Sequence, residues 1–291
     1  MDTASRGWLN GFIGVLIFSG SLPATRVAVA DFDPVFLTAA RATIAGLIAL
    51  AALRLLRAPR PTRAQAGPLA LVAAGVVIGF PLLTALALRH VTSAHSIVFI
   101  ALLPLSTAAF GVLRGGERPR AAFWIFSVLG SLSLCVIGFA AGQGMRAAPL
   151  GDLLMLGAIL VCGLGYAEGA RLSRTLGGWQ VICWALVLAL PPMLALAAWR
   201  VPGSFAPVGA AAWAGLGYVS LFSMLIGFVF WYRGLAQGGI AAVGQLQLLQ
   251  PLFGLALAAG LLREAVSPAM LAVTVAVIGC VAGARRFSRP R

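Results

Sequence analysis

LLPLSTAAFGVLRGGE (102–117) and LQPLFGLALAAGLLRE (249–264) share one skeleton. Leu102, Pro104, Leu105 and Glu117 stand 147 positions before Leu249, Pro251, Leu252 and Glu264, in a chain of 291 residues. At the same offset Leu88 matches Leu235 and Ala94 matches Ala241. Close to it, Ile78-Gly79-Phe80 matches Ile226-Gly227-Phe228, Gly11 matches Gly157 and Arg54 matches Arg200. Any one match is cheap in so apolar a chain, but one offset running through several segments marks an internal duplication. The halves are 1–145 and 146–291.

The duplicated unit is a membrane unit. Hydrophobic residues make up 61% of the chain and charged residues 10%, against roughly 25% charged in a soluble domain. Mean hydropathy is +1.00. Segments 64–88, 91–113, 121–145, 175–199, 201–232, 234–262 and 265–284 contain no Asp, Glu, Lys or Arg. Each exceeds or approaches the about 20 residues that a helix needs to cross a hydrocarbon core. With 7–25, and two spans that carry internal charges, the reading is ten transmembrane helices: about 8–28, 34–56, 67–89, 93–113, 121–141, 150–172, 179–199, 211–232, 238–262 and 267–285. The runs are apolar throughout, without the alternation of a membrane β-strand, and helices satisfy their own backbone in lipid. The first span has no signal-peptide cleavage pattern and reads as retained.

All 21 basic residues are Arg. With the N-terminus in the cytoplasm, fifteen of them fall on inner segments and five on outer ones, and Arg41 falls within a span. This positive-inside bias places both termini in the cytoplasm. The net charge of +14 is then a basic face against anionic headgroups, and no connection is long enough to be a nucleic-acid-binding domain. Cys135, Cys162, Cys183 and Cys280 lie inside spans without C-x-x-C or metal-ligand spacing, so they read as small apolar fillers. No cofactor is expected. A chain without lysine has no G-x-x-x-x-G-K-[ST] loop, which argues against ATP hydrolysis.

Each half holds five spans, an odd number, so the second copy enters the membrane from the opposite side. The expected fold is therefore all-α, with ten helices forming two inverted five-helix repeats around a central cavity. Secondary transporters are built this way, with the substrate near the midplane between repeats.

Two five-span units, each ending in Pro, an apolar run and Glu, resemble the EamA domain of the drug/metabolite transporter superfamily. LRHVTSAHSIVFIALLPLSTAAFGVLRGGE (88–117) is similar to that domain's fourth helix and GQLQLLQPLFGLALAAGLLRE (244–264) to its ninth. The likeness covers essentially the whole chain. Within the family, the size and ten-helix layout resemble the YddG-type amino acid exporters. The resemblance implies helices 1, 3, 4, 6, 8 and 9 around a cavity, with 2, 5, 7 and 10 outside them. One departure is visible: relatives often carry Trp in the first and sixth helices, where this chain has Phe18 and VCGLGY (161–166).

On that frame the candidate cavity residues are Ser19, Phe80, His95, Phe99, Tyr166, Phe228, Trp231 and Gln245. Rings offer stacking to an apolar or aromatic substrate. His95 offers a donor or a group that titrates near neutral pH, or else a bond to a neighbouring helix. Gln245, Gln247 and Gln250 are costly in lipid unless they bond a neighbouring helix or a ligand. Pro104 and Pro251 fall mid-span, each removing a helical hydrogen bond, and their matched positions make them candidate hinges rather than static kinks. Arg41 is expected to snorkel towards Asp31 and Asp33. Glu168 is expected to pair with Arg171 three positions on. Glu117 and Glu264 read as structural, with Arg114, Arg118 or Arg263 compensating.

The expectation is an inner-membrane exporter of small organic metabolites, most consistent with amino acids, acting as a monomer or weak homo-oligomer with the bilayer and a small-molecule substrate as its partners. A drug or other metabolite exporter of the same family is the alternative. A membrane-embedded enzyme would need clustered His, Asp, Glu, Ser or Cys at one depth. A scaffold or sensor would be expected to carry a soluble domain.

Overall fold

The computed structural model describes residues 2–87, 90, 99–141, 148–250, 252–253 and 268–288. Every regular element among them is helical: α1 (Thr3–Ser19), α2 (Ser21–Ala28), α3 (Pro34–Leu55), α4 (Arg63–Val72), α5 (Phe80–Ala87), α6 (Leu103–Gly115), α7 (Ala121–Ala141), α8 (Pro149–Leu176), α9 (Gly178–Trp199), α10 (Ala210–Tyr218), α11 (Gly227–Gly238), α12 (Ile240–Gly244) and α13 (Pro268–Phe287). Six continuous helical rods among the described residues are long and apolar enough to cross a membrane: Thr3–Thr25, Pro34–Leu55, Arg63–Ala87, Pro149–Leu176, Gly178–Trp199 and Ala210–Gly238. Shorter apolar helices lie at Ala121–Cys135 and Ile240–Leu249.

The ends follow ordinary capping chemistry. Asp2 accepts from the Ser5 amide at 2.9 Å to start α1. Asp33 accepts from the amides of Val35 and Phe36, each at 3.0 Å, and Pro34 follows in the first turn of α3, where a missing N–H costs nothing. Leucines at positions 9, 16, 47, 129, 132, 153 and 160 are exposed, as lipid-facing surfaces require. Trp199 is 79% exposed at the end of α9, where an interfacial ring is expected.

Helices of the first half pack on helices of the second. α1 crosses α11, α3 lies along α9, α7 along α13, and α8 packs on both α6 and the α4–α5 rod. The α1–α11 crossing is backbone on backbone. A Cβ on Gly234 would stand 2.5 Å from the Gly11 amide nitrogen and 3.0 Å from the Gly7 carbonyl oxygen. Small residues at this spacing let membrane helices approach closely. Gly14, against Trp231, and Gly75, against Val161, also serve contacts within the chain, whereas Gly279 has no heavy atom near its would-be Cβ.

Several segments interrupt regular α-helix. A π-helical segment, Ala73–Gly79, joins α4 to α5, and another, Val219–Ile226, joins α10 to α11. The Phe80 amide donates to the Gly75 carbonyl and the Gly227 amide to the Phe222 carbonyl. Donors and acceptors are each 147 positions apart, the offset of the two proline motifs. Such bulges are rare and concentrate at functional sites. The fourth span breaks at Ala101-Leu102 before α6, and α12 passes into a 3₁₀ segment at Gln245–Leu249. Pro104 therefore lies within the first turn of a new helix rather than mid-helix. Pro251 lies outside the described residues.

Candidate substrate site

An aromatic cluster forms where α1, α8 and α11 meet. Phe18 and Phe228 have ring centroids 4.9 Å apart, Tyr166 and Trp231 5.5 Å, Tyr166 and Phe228 6.0 Å, and Phe18 and Trp231 6.2 Å. Tyr232 stands 5.4 Å from Phe228 and donates to the Gly165 carbonyl at 3.3 Å. The spacing in α11 explains the convergence: positions 228, 231 and 232 fall on one helix face. The glycine face of α1 lets that side of α11 approach, and Phe18 packs directly over Gly227 at the end of the π segment. Tyr166, Phe228 and Trp231 are 5%, 6% and 0% exposed.

Buried polar atoms without hydrogen-bond partners lie in the cluster and in the 245–247 segment. The Trp231 indole nitrogen and both amide atoms of Gln245 and of Gln247 are buried and make no hydrogen bond. The Gln247 amide lies beside the Tyr166 hydroxyl, as does Cys162. Each such group costs about 1–3 kcal/mol when left unmade in an apolar interior. Gln245 and Gln247 are 0% and 4% exposed, because residues 240–248 are buried on every side. Gln250 instead donates to the Phe18 carbonyl at 3.5 Å.

The other expected cavity residues divide. Ser19 is buried and its hydroxyl donates to the Val15 carbonyl at 2.8 Å. Phe80 and Phe99 are partly buried against the same core. His95 lies outside the described residues, as does Glu264. Two cavities of about 430 and 260 Å³ sit away from the aromatic cluster, the first beside Trp8 and Arg285, the second beside Trp179 and Arg233.

The charged residues depart from expectation in instructive ways. Glu168, wholly buried on α8, pairs with Arg171 at 2.8 Å as its spacing requires, and also with Arg114 from α6. Arg263 lies outside the described residues, and among them Glu117 is not answered by Arg114 or Arg118. Its two oxygens accept from the amides of Ile240 and Ala241 at 2.5 and 2.7 Å, and Arg174 approaches to 3.7 Å. The acceptor geometry rests on Gly239, whose φ of +95° turns the chain into α12, a conformation open chiefly to glycine. Arg41 does not reach Asp31 or Asp33. Asp31 accepts from the Gly209 amide at 2.9 Å and Asp33 faces Arg200 at 3.9 Å, while Arg41 crosses to Ser223 at 3.3 Å.

The model of the EamA-like transporter family matches this sequence twice, over residues 5–139 and 149–284. The chain belongs to the EamA-like transporter family. It is 66% identical over 289 residues to "Uncharacterized transporter YdeK" of Bacillus subtilis (strain 168), covering 99% of this chain and 100% of that protein. A solved crystal structure is similar to it with a TM-score of 0.82, covering 98% of each chain at 23% identity, which speaks for the fold alone. This EamA-family chain is thus a multi-pass membrane transporter of metabolites or drugs, with a small-molecule substrate and the lipid bilayer as its surroundings.

Proposed function

We propose that this EamA-family transporter exports apolar or aromatic amino acids across the plasma membrane by alternating access between two inverted repeats, 1–145 and 146–291. The observation that carries the reading is the buried cluster of Phe18, Tyr166, Phe228 and Trp231 beside unpartnered amides. Rings supply an apolar face, and Gln245, Gln247 and the Trp231 indole supply neutral donors and acceptors for a polar head group. Sites of this composition, mostly apolar with a few placed polar groups, suit small organic ligands.

Alternation draws support from matched irregularities. Both halves carry a π segment at one offset, and both lose regular α-helix around the Leu102 and Leu249 register. Such points absorb the backbone change when packed helices shift. Pro104 and Pro251 are the hinge residues in this reading, and Ser19, Phe80, His95 and Phe99 complete the cavity lining as helices separate. The arginine bias puts both termini in the cytoplasm. The functional unit is a monomer or a weak homo-oligomer.

The test is efflux from proteoliposomes loaded with amino acids, nucleosides and cationic drugs, for wild type, Pro104→Ala and Gln245→Ala, with and without a proton gradient. Amino acid efflux that falls in both variants supports the reading. Efflux of drugs alone moves the chain to the multidrug alternative, and a response to the gradient separates antiport from facilitated release.

A further inference from the structure

Arg41 lies seven residues into α3, about 10 Å along the helix, within a rod long and apolar enough to cross the membrane. Among the described residues no carboxylate stands within ion-pair distance of it. Its Nη2 donates to Ser223 Oγ at 3.3 Å, and its Nε is shut off from solvent without a partner. A guanidinium carries five donors and no acceptor, and one serine leaves the buried Nε of this one unmet. A cation in lipid without a counter-charge is expensive and marks a functional group by default.

The surroundings are built to donate. Ser21 Oγ donates to Ser223 Oγ at 2.8 Å. Ser223 Oγ is thus shared between Arg41 and Ser21, and when Ser21 is the donor its own O–H is free to turn to a third group. Ser223 is 5% exposed and sits within the second π segment. An anionic oxygen is the chemistry that could accept from both the guanidinium and the Ser223 hydroxyl.

Position adds the second half of the argument. Phe18 precedes Ser21 by three residues, about 4–5 Å along a helix, and Phe228 follows Ser223 by five, about 7 Å. The arginine–serine group and the aromatic cluster are thus separated by roughly the length of one small molecule with an acidic head and an apolar body.

We propose that Arg41, with Ser21 and Ser223, anchors the carboxylate of the transported molecule, whose apolar body rests on Phe18, Phe228 and Trp231. This rests on the reading of the aromatic cluster as the substrate site, and it adds a selection rule. Acids are accepted with or without an amine, and amines lacking the acid are refused because they bring a second cation to Arg41. A lipid phosphate offers the same oxygens, but the Arg41 guanidinium is directed across to Ser223 on a neighbouring helix.

The experiment uses the full chain, with 3-phenylpropionate, L-phenylalanine and 2-phenylethylamine as probes. Thermal stabilisation in detergent reads binding, and efflux from phosphatidylcholine vesicles, with and without phosphatidylglycerol, reads transport. The expected result is stabilisation of wild type by both acids and not by the amine. Arg41→Gln weakens acid binding about tenfold or more, as loss of a charge-assisted fork does. Arg41→Lys retains part of it, and Ser223→Ala falls between; these two decide if Arg41→Gln does not fold. Equal stabilisation of wild type and Arg41→Gln by acids, or no acid binding to wild type, overturns the proposal. So does an Arg41→Gln defect seen only with phosphatidylglycerol and alike for acid and amine, which assigns Arg41 to lipid. Acid binding through Arg41 without efflux of any probe would sink the transport reading and keep this one. Efflux of acid and amine alike, unaffected at Arg41, would do the reverse.

Discussion

Two of the places where this protein buries polar groups are finished to different degrees. At the Glu168–Glu117 end, one carboxylate is held by two arginines and the other by two backbone amides and an arginine. At Trp231 in the aromatic centre, and at Gln245 and Gln247 of the 3₁₀ segment, buried polar atoms have no hydrogen-bond partner. A satisfied group contributes to stability, and an unsatisfied one detracts from it by comparable amounts. The contrast separates scaffold from site: the first region fixes how α6, α8 and α12 meet, and the second keeps binding capacity at the expense of stability.

Substitutions can break that contrast or sharpen it. Glu168→Ala leaves Arg114 and Arg171 facing each other and is expected to cost about 3 kcal/mol, the lower end for a broken buried pair because both arginines are partly exposed. Thermal unfolding in detergent checks it, and an unchanged midpoint would dissolve the distinction. Glu117→Gln keeps one acceptor oxygen but loses the charge at the start of α12, for an expected loss of about 1 kcal/mol by the same measurement. Gln247→Leu should behave differently. Removing an amide whose one polar neighbour is the Tyr166 hydroxyl leaves stability within about 1 kcal/mol of wild type, while efflux from proteoliposomes falls. A destabilised Gln247→Leu protein would move Gln247 from the site to the scaffold. Trp231→Phe, which deletes the unpartnered indole N–H, should have the smallest effect on stability, within about 1 kcal/mol, with its consequence confined to substrate affinity in binding assays.

Much of the architecture was legible in the sequence because lipid allows few solutions. Runs without charge had to be helices, and the described parts of them are helical apart from the connections, such as residues 201–209. The Glu168–Arg171 pair was legible because three residues on a helix fix a distance. Phe228, Trp231 and Tyr166 were legible as ring candidates, but their convergence depended on the close α1–α11 crossing, which Gly7, Gly11 and Gly234 permit and the linear pattern does not orient. The paired π segments had one weak signal, the Ile-Gly-Phe match, which is offset by 148 rather than 147 positions. The burial of both Gln245 and Gln247 was not legible, because it comes from helices packing around every side of residues 240–248 and not from spacing along the chain.

The sequence by itself determined that this chain is apolar, duplicated and helical, because hydropathy and an internal repeat are properties of residue order. The tertiary structure alone decided that Arg41 faces Ser223 rather than Asp31 or Asp33, and that Glu117 caps a helix 123 residues away. Those partners lie on other helices, and which helix stands beside an arginine or a glutamate is set by packing, not by position along the chain.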